Sequence, residues 1–505
     1  MTWTVILLLK VKLKQYLGQV RRSIRNLLSL ILVYLLWLTV IGLISFVLRA
    51  TGVSSSSQDF LKILSDVTVI AILAVGIFLG IKGGITALPY ELDYVLSSNI
   101  GPRIFLLTDL LFQLCLLTFF IIPPTSVMLT ILTYPNHFTY LGRAIPLYIV
   151  AIIMSIMLSH ILGVSRSIIG ESRVKMIGWP LLLMITSPLI LLALKTPLPP
   201  LLTYHPALVL TSAIDRVGEN FYWMMPYLFI LGLAYLRLSK TNFYSSVSPL
   251  LLSILMEPPT KLSKYIKTPI KIEKLLGLKV AKGYSSLMYM LHLLRVLREG
   301  SLWTGVIVLL FLILVNTAIP RLVNVAQFPE VAELTMIALY IPLLPALLSI
   351  NWSISERPNT WIVNLSTKGE RYYLSGLFFS YLTVTFPFSL SLYGIVSIGS
   401  TDLPFILVDI VLLLAMSCFG TALSILISLV AKLALSPLSL SSLLYILTPL
   451  TGSLILSLPI LTIRLHEPLA SSPTIGLTSM MIGYIVITTF ILYRILVKEG
   501  VRYLN

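Results

Sequence analysis

Apolar stretches about as long as a bilayer is thick recur along the whole chain, and they constrain the fold more than any other feature. A helix needs about 20 mostly apolar residues to cross the hydrocarbon core of a membrane. Twelve stretches meet this criterion, which predicts an all-α, polytopic membrane protein with about twelve transmembrane helices. The predicted spans are 27–48, 62–82, 104–132, 145–163, 176–195, 221–236, 302–320, 331–350, 372–394, 404–431, 441–463 and 476–496.

The composition supports the same class. Of the 505 residues, 57% are hydrophobic and only 11% are charged, whereas a soluble chain carries about 25% charged residues. Too little charge remains to coat a water-soluble particle, and disordered and disulfide-framework classes are excluded as well. The two cysteines, Cys115 and Cys418, lie in apolar runs and are predicted to be small buried residues rather than a disulfide or a metal site.

The distribution of basic residues predicts the orientation. The chain has 36 Lys and Arg residues and a formal net charge of +17. With the N-terminus placed inside, 29 of the 36 lie in cytoplasmic segments and 7 elsewhere, which is the asymmetry that the positive-inside rule describes. We therefore expect a multi-pass protein of the cell membrane with both termini in the cytoplasm. In this arrangement the basic residues lie beside membrane lipids, which explains the net positive charge without a nucleic-acid partner.

A basic stretch divides the twelve spans into six and six. Residues 237–300 hold 11 basic and 3 acidic residues and form the largest segment outside the predicted spans. The sequence thus predicts three parts: a first six-span half at 1–236, a cytoplasmic linker with an interfacial helix at 237–300, and a second six-span half at 301–505.

Matching landmarks on either side of this linker indicate an internal duplication. Residues 98–112 match residues 366–379 at an offset of 268. Residues 7–25 and 284–298, which open the two halves, both mix Leu and Val with Lys or Arg at spacings compatible with a helix lying in the membrane interface. Because six spans return the chain to the same side, we expect two parallel six-helix repeats, unlike the inverted repeats of many secondary transporters.

Two loops carry a common pattern of chemistry. Residues 83–111 and 350–379 each contain an acidic residue, a short Leu-containing amphipathic segment, a turn rich in Ser, Pro or Gly, an Arg and then a rising span. A short helix with an aromatic anchor, such as Tyr94 or Trp361, and flanking charges suits docking to a soluble partner. The alternative is a solvated turn whose aromatic rings lie at the headgroup level.

This pattern resembles the cytoplasmic signature of type-2 ABC exporter permeases, and the resemblance covers the chain as two fused permease halves. It implies that each loop is a coupling helix that docks into a groove of a separate ATP-binding cassette ATPase subunit. The residues that it implies for ATPase coupling are Glu91, Asp93, Tyr94, Arg103, Glu356, Arg357, Trp361 and Arg371.

The chain contains no motif for chemistry of its own. It lacks the G-x-x-x-x-G-K-[ST] nucleotide loop, the H-E-x-x-H and C-x-x-C motifs and the G-x-S-x-G motif, and its five histidines are scattered singly. We therefore expect no catalytic residue, no metal site and no cofactor here. ATP and Mg²⁺ would be bound by the partner subunit, so the chain itself is not expected to be an enzyme.

Ionisable residues inside spans distinguish the exporter from its main alternative, an ion-coupled secondary transporter of six-plus-six architecture. Such a carrier is expected to hold a carboxylate near the bilayer midplane. Asp66, Asp109 and Asp409 instead lie near span ends, as does His160, which favours interfacial snorkelling or interhelical hydrogen bonds. A polytopic membrane enzyme is the third alternative, but the longest outer loop of this chain offers only Asp215 and Glu219 as carboxylates.

Overall fold

A computed structural model describes most of the chain, and every secondary-structure element in the described part is a helix. The described residues are 2–21, 24–50, 58–85, 100–193, 199–215, 221–244, 284–298, 341–353, 369–396, 403–430, 447–457, 459–460 and 472–499, together with 302, 306 and 310.

Eight α-helices lie before the predicted linker in the described residues. They are α1 (Thr2–Arg21), α2 (Ile24–Ala50), α3 (Gln58–Lys82), α4 (Pro102–Leu132), α5 (His137–Ile169), α6 (Glu171–Ala193), α7 (Pro206–Asp215) and α8 (Met224–Leu238). Short 3₁₀ turns at Pro200–Tyr204 and Phe221–Trp223 flank α7.

Six further α-helices are described beyond residue 283. They are α9 (Tyr284–Arg298), α10 (Ile341–Ser353), α11 (Gly369–Val396), α12 (Leu403–Val430), α13 (Leu447–Ser457) and α14 (Ser472–Glu499).

Seven of the described helices are long and apolar enough to cross a membrane. Each coincides with a predicted span, so the all-α, polytopic membrane class is confirmed. The count of twelve and the duplication stay predictions. The predicted span 302–320 and residues 331–340 lie outside the regular elements that the structure describes. The seven segments are Leu64–Lys82, Pro102–Leu132, His137–Ile169, Glu171–Leu191, Gly369–Ser391, Ile406–Val430 and Gly476–Lys498.

The chain separates into two compact units. The first comprises Met1–Gly18, Ile41–Ser253 and Thr317–Val325, and the second comprises Gln19–Val40, Ile254–Asn316 and Ala326–Asn505. The three-part division of the sequence at 236 and 300 stays a prediction, because most of the linker lies outside the described residues.

In the first unit, α3 and α5 form the most extensive helix–helix contact. Three glycines at four-residue spacing let the two backbones approach. A Cβ atom added at Gly76 would lie 2.3 Å from the carbonyl oxygen of Ser155, and one added at Gly84 would lie 2.2 Å from that of Ser159. Close packing through small residues is a main source of helix association in membranes, where apolar lipid removes the hydrophobic drive. Hydroxyls of the two serines donate to the Ile72 carbonyl at 2.6 Å and to the Gly84 carbonyl at 3.1 Å.

In the second unit, α9 packs along α11, and α12 packs along α14. Gly376 of α11 makes the first of these contacts close, since an added Cβ atom would lie 2.8 Å from the backbone nitrogen of Tyr289. One expectation is corrected here. Cys115 is exposed on α4 rather than buried, and Cys418 on α12 is half-buried. Both are free thiols.

Candidate functional site

Only two of the eight residues implied for ATPase coupling lie in the described part of the chain. Arg103 is the second residue of α4 and Arg371 the third residue of α11, and both side chains are exposed. The two arginines thus occupy the first turns of the helices that follow the two loops. The other six residues, Glu91, Asp93, Tyr94, Glu356, Arg357 and Trp361, lie outside the described residues.

Two turns into α4, Asp109 is the centre of a buried cluster that we call the polar junction (Lys12, Asp109, Gln113, His160 and Tyr235). The carboxylate is fully buried. Its Oδ1 atom accepts a hydrogen bond from Lys12 Nζ at 2.7 Å, and Gln113 Nε2 donates to Oδ2 at 2.9 Å. His160 Nε2 lies 3.1 Å from the same Oδ2. One ammonium ion and further N–H groups therefore compensate the desolvation of this carboxylate.

The junction joins four helices of the first unit. Lys12 comes from the amphipathic helix α1, Asp109 and Gln113 from α4, and His160 from α5. Tyr235 of α8 completes it, with its hydroxyl 3.3 Å from His160 Nδ1. The same hydroxyl donates to the Leu106 carbonyl of α4 at 3.1 Å. These side-chain contacts therefore link α4 directly to α1, α5 and α8.

Aromatic rings shield the Lys12 ammonium. Its Nζ atom lies 5.4 Å from the centre of the Phe105 ring and 5.0 Å from that of Phe112. Cation–π contacts of this kind gain strength when the site is desolvated, and Lys12 is only 3% exposed. The ammonium is therefore held between one carboxylate and two ring faces.

The end of the first loop is attached to the same region. The hydroxyl of Tyr244 donates to the carbonyl of Ile100 at 2.8 Å, two residues before α4 begins. The Tyr244 ring also meets Phe105 edge to face, with 6.0 Å between ring centres. Tyr244 lies beyond the end of α8, and its burial raises the pKa of its hydroxyl to about 12, so it remains a donor at neutral pH. The point where the chain leaves the loop is thus fastened to the segment after α8.

The second unit has an aromatic counterpart, which we call the aromatic junction (His292, Trp352 and Tyr373). The His292 ring of α9 meets the Tyr373 ring of α11 edge to face, with 4.4 Å between ring centres. Trp352 Nε1 of α10 donates to the Tyr373 hydroxyl at 2.9 Å. His292 and Trp352 are fully buried. Here too, an amphipathic helix is attached to the first turns of the long helix that follows a loop.

The acidic residues near the span ends, Asp66 and Asp409, make interhelical hydrogen bonds instead of extending toward the membrane interface. Thr211 of α7 donates to Asp66 of α3, and Tyr393 of α11 donates to Asp409 of α12 at 2.9 Å. Asp109, with no exposed surface, does not snorkel. Of the two expectations for these residues, interhelical hydrogen bonding is confirmed.

The sequence spacing of α1 contains one signal for the polar junction. Lys12 lies seven residues after Val5, on the face of α1 that is buried, while Lys10 and Lys14 are exposed. A lysine on the buried face of an amphipathic helix requires an acceptor. The spacing therefore predicts a buried acceptor for Lys12 but does not identify that acceptor as Asp109.

The described residues contain no group of three or more His, Cys, Asp or Glu side chains placed to hold a metal ion. No protein-family model, curated protein or solved structure matches the chain.

Proposed function

We propose that this chain is the transmembrane subunit of an ATP-driven exporter of the ABC type, forming the translocation pathway and docking separate ATPase subunits at its two cytoplasmic loops. One observation carries the proposal. In each unit, an amphipathic helix is fastened to the first turns of the long helix that directly follows a docking loop, by Asp109 in α4 and by Tyr373 in α11.

This attachment supports a mechanical role for the loops. Asp109 lies about 10 Å along α4 from Pro102, at ~1.5 Å per residue, and Tyr373 lies nearer still to the start of α11. A push delivered at either loop therefore moves the long helix and its attached interfacial helix together. ATP-driven closure of two ATPase subunits would supply that push and rock the helices, which opens the pathway. ATP and Mg²⁺ would bind to those subunits.

The experiment tests the second loop, where the resemblance implies Glu356 and Trp361 for docking. Affinity-tagged chain is purified from its native membranes, and retained ATP-binding cassette subunits are quantified by mass spectrometry. The variant Trp361→Ala with Glu356→Lys should insert normally and lose most of the ATPase. The matched control Trp223→Ala alters an exposed tryptophan outside both loops and should retain it. Full retention of ATPase by the double variant would overturn the docking role.

The ion-coupled secondary transporter remains the second candidate, because one observation favours it. Ionisable groups buried within membrane spans often form proton pathways, and Asp109 with His160 is such a pair. Its test uses liposomes that contain the chain alone and an enclosed pH dye. Proton flux that is lost in Asp109→Asn would favour the carrier. The exporter predicts no such flux and no ATP hydrolysis by the chain alone.

A further inference from the structure

An apolar groove of about 310 Å³ lies on the second unit, between α11, α12 and α14. Its lining includes the aromatic rings of Phe378, Phe490 and Tyr493 and the small side chains of Ala415 and Cys418. All three helices contain segments long and apolar enough to span a membrane, and the lining residues Val411 and Phe490 are exposed, so the groove opens on the surface of this unit at membrane depth. Its volume lies at the lower end of the ~300–1,000 Å³ typical of small-molecule sites.

One end of the groove carries basic side chains. The Ser375 hydroxyl lies 3.2 Å from the Tyr493 hydroxyl, and the Phe378 and Tyr493 rings lie 4.9 Å apart. These contacts place the beginning of α11 beside the end of α14. Arg494, next to Tyr493, lies with its guanidinium 5.1 Å from the ring centre of Phe490, which lines the groove. The cation is therefore held at the rim of the apolar walls.

Exposed Arg371 and Lys498 lie at the same end, on the first turn of α11 and the last turn of α14. Among the described residues at this end, the basic Arg371, Arg494 and Lys498 outnumber the acidic Glu370 and Glu499. The balance at this end is positive. Basic pockets between membrane helices favour anionic lipid headgroups, and an apolar channel beneath such a pocket suits an acyl chain.

We propose that this groove binds an anionic glycerophospholipid, with an acyl chain along Phe378 and Phe490 and the headgroup phosphate at Arg494. Charge complementarity selects this occupant over a zwitterionic lipid. The aromatic walls provide contact area without polar groups that the lipid tail would leave unsatisfied. The site stands independently of the exporter proposal, because it rests on the second unit alone.

The two natural cysteines provide the assay. Cys418 lines the groove, whereas Cys115 is exposed on α4 in the other unit. Purified full-length chain in dodecyl maltoside is alkylated with N-ethylmaleimide, and the rate at each thiol is followed by peptide mass spectrometry. Dioleoyl phosphatidylglycerol should slow alkylation of Cys418 at least fivefold more than dioleoyl phosphatidylcholine does, with Cys115 unchanged.

Substitutions test the headgroup contact and the apolar groove separately. Arg494→Gln should reduce the effect of phosphatidylglycerol to that of phosphatidylcholine. The matched control Arg237→Gln removes an exposed arginine near the end of α8 and should leave it intact. Ala415→Leu adds bulk to the groove lining and should abolish protection by either lipid. Equal protection by both lipids, equal slowing of both thiols, or equal effects of Arg494→Gln and Arg237→Gln would overturn the proposal.

Discussion

Removal of the Lys12 ammonium from the polar junction should destabilise the first unit strongly. Lys12→Met leaves the buried Asp109 carboxylate without its cation, and loss of one partner of a buried pair costs about 3–5 kcal/mol. Since Gln113 and His160 still lie within hydrogen-bond distance of Oδ2, we expect the lower end, about 3 kcal/mol. Asp109→Asn should cost less, about 1–2 kcal/mol, because the long lysine side chain can extend its amine toward water.

The double variant is decisive, because it removes both charges at once. Lys12→Met with Asp109→Asn should cost about 2 kcal/mol, less than the sum of the single changes, which corresponds to a coupling energy of ~2–3 kcal/mol. Unfolding free energies are measured in mixed micelles by titration with sodium dodecyl sulfate and read by tryptophan fluorescence. Lys10→Met, an exposed lysine on the same helix, should change stability by less than about 0.5 kcal/mol. Additive single effects would refute the assigned ion pair.

Two further predictions concern backbone packing and pH. Gly76→Ala should lower the free energy of unfolding by about 1–3 kcal/mol through overpacking, because the added Cβ atom would meet the backbone of Ser155. The control Gly232→Ala has open space around it and should be neutral. Equal shifts of the thermal unfolding temperature in the two variants would contradict this prediction. Burial lowers the pKa of His205 from 6.5 to about 4, so the unfolded chain binds more protons between these values. Stability should therefore fall by at most about 3 kcal/mol as the pH drops through that window. His205→Asn keeps an acceptor for the Ala207 amide and should remove this contribution from the pH dependence of stability. An unchanged slope of stability against pH in this variant would be evidence against the assignment to His205.

Span positions could be predicted because they depend on local composition. Long apolar runs define where a chain can cross a bilayer whatever its neighbours are, and the described spans α4 and α12 begin within two residues of their predicted starts. The depth of a side chain along a span follows from the same count. Which face of the helix it occupies, and what lies opposite, does not follow from it.

The polar junction could not be predicted for that reason. Lys12 and Asp109 are 97 residues apart, and no local pattern states that α1 lies against α4. The close approach of α3 and α5 is easier to predict from the sequence. Gly76, Gly80 and Gly84 repeat every four residues, as do Ser155, Ser159 and Gly163 on α5, and such spacing is typical of tightly packed membrane helices. The repeat indicates a close contact but not its partner.

The two junctions differ in the physics that holds them, and this difference bears on how the two loops would act. In the first unit an ion pair attaches α1 to α4, and its strength depends on exclusion of water, because hydration of either charge weakens the attraction. In the second unit close packing at Gly376 and ring contacts attach α9 to α11, and hydration has little effect on them. A movement that admits water to the first attachment therefore weakens it, whereas the second attachment depends on its packing. Under the exporter proposal, equal pushes at the two loops would produce unequal responses, with the first unit acting as the switch and the second as the more rigid support.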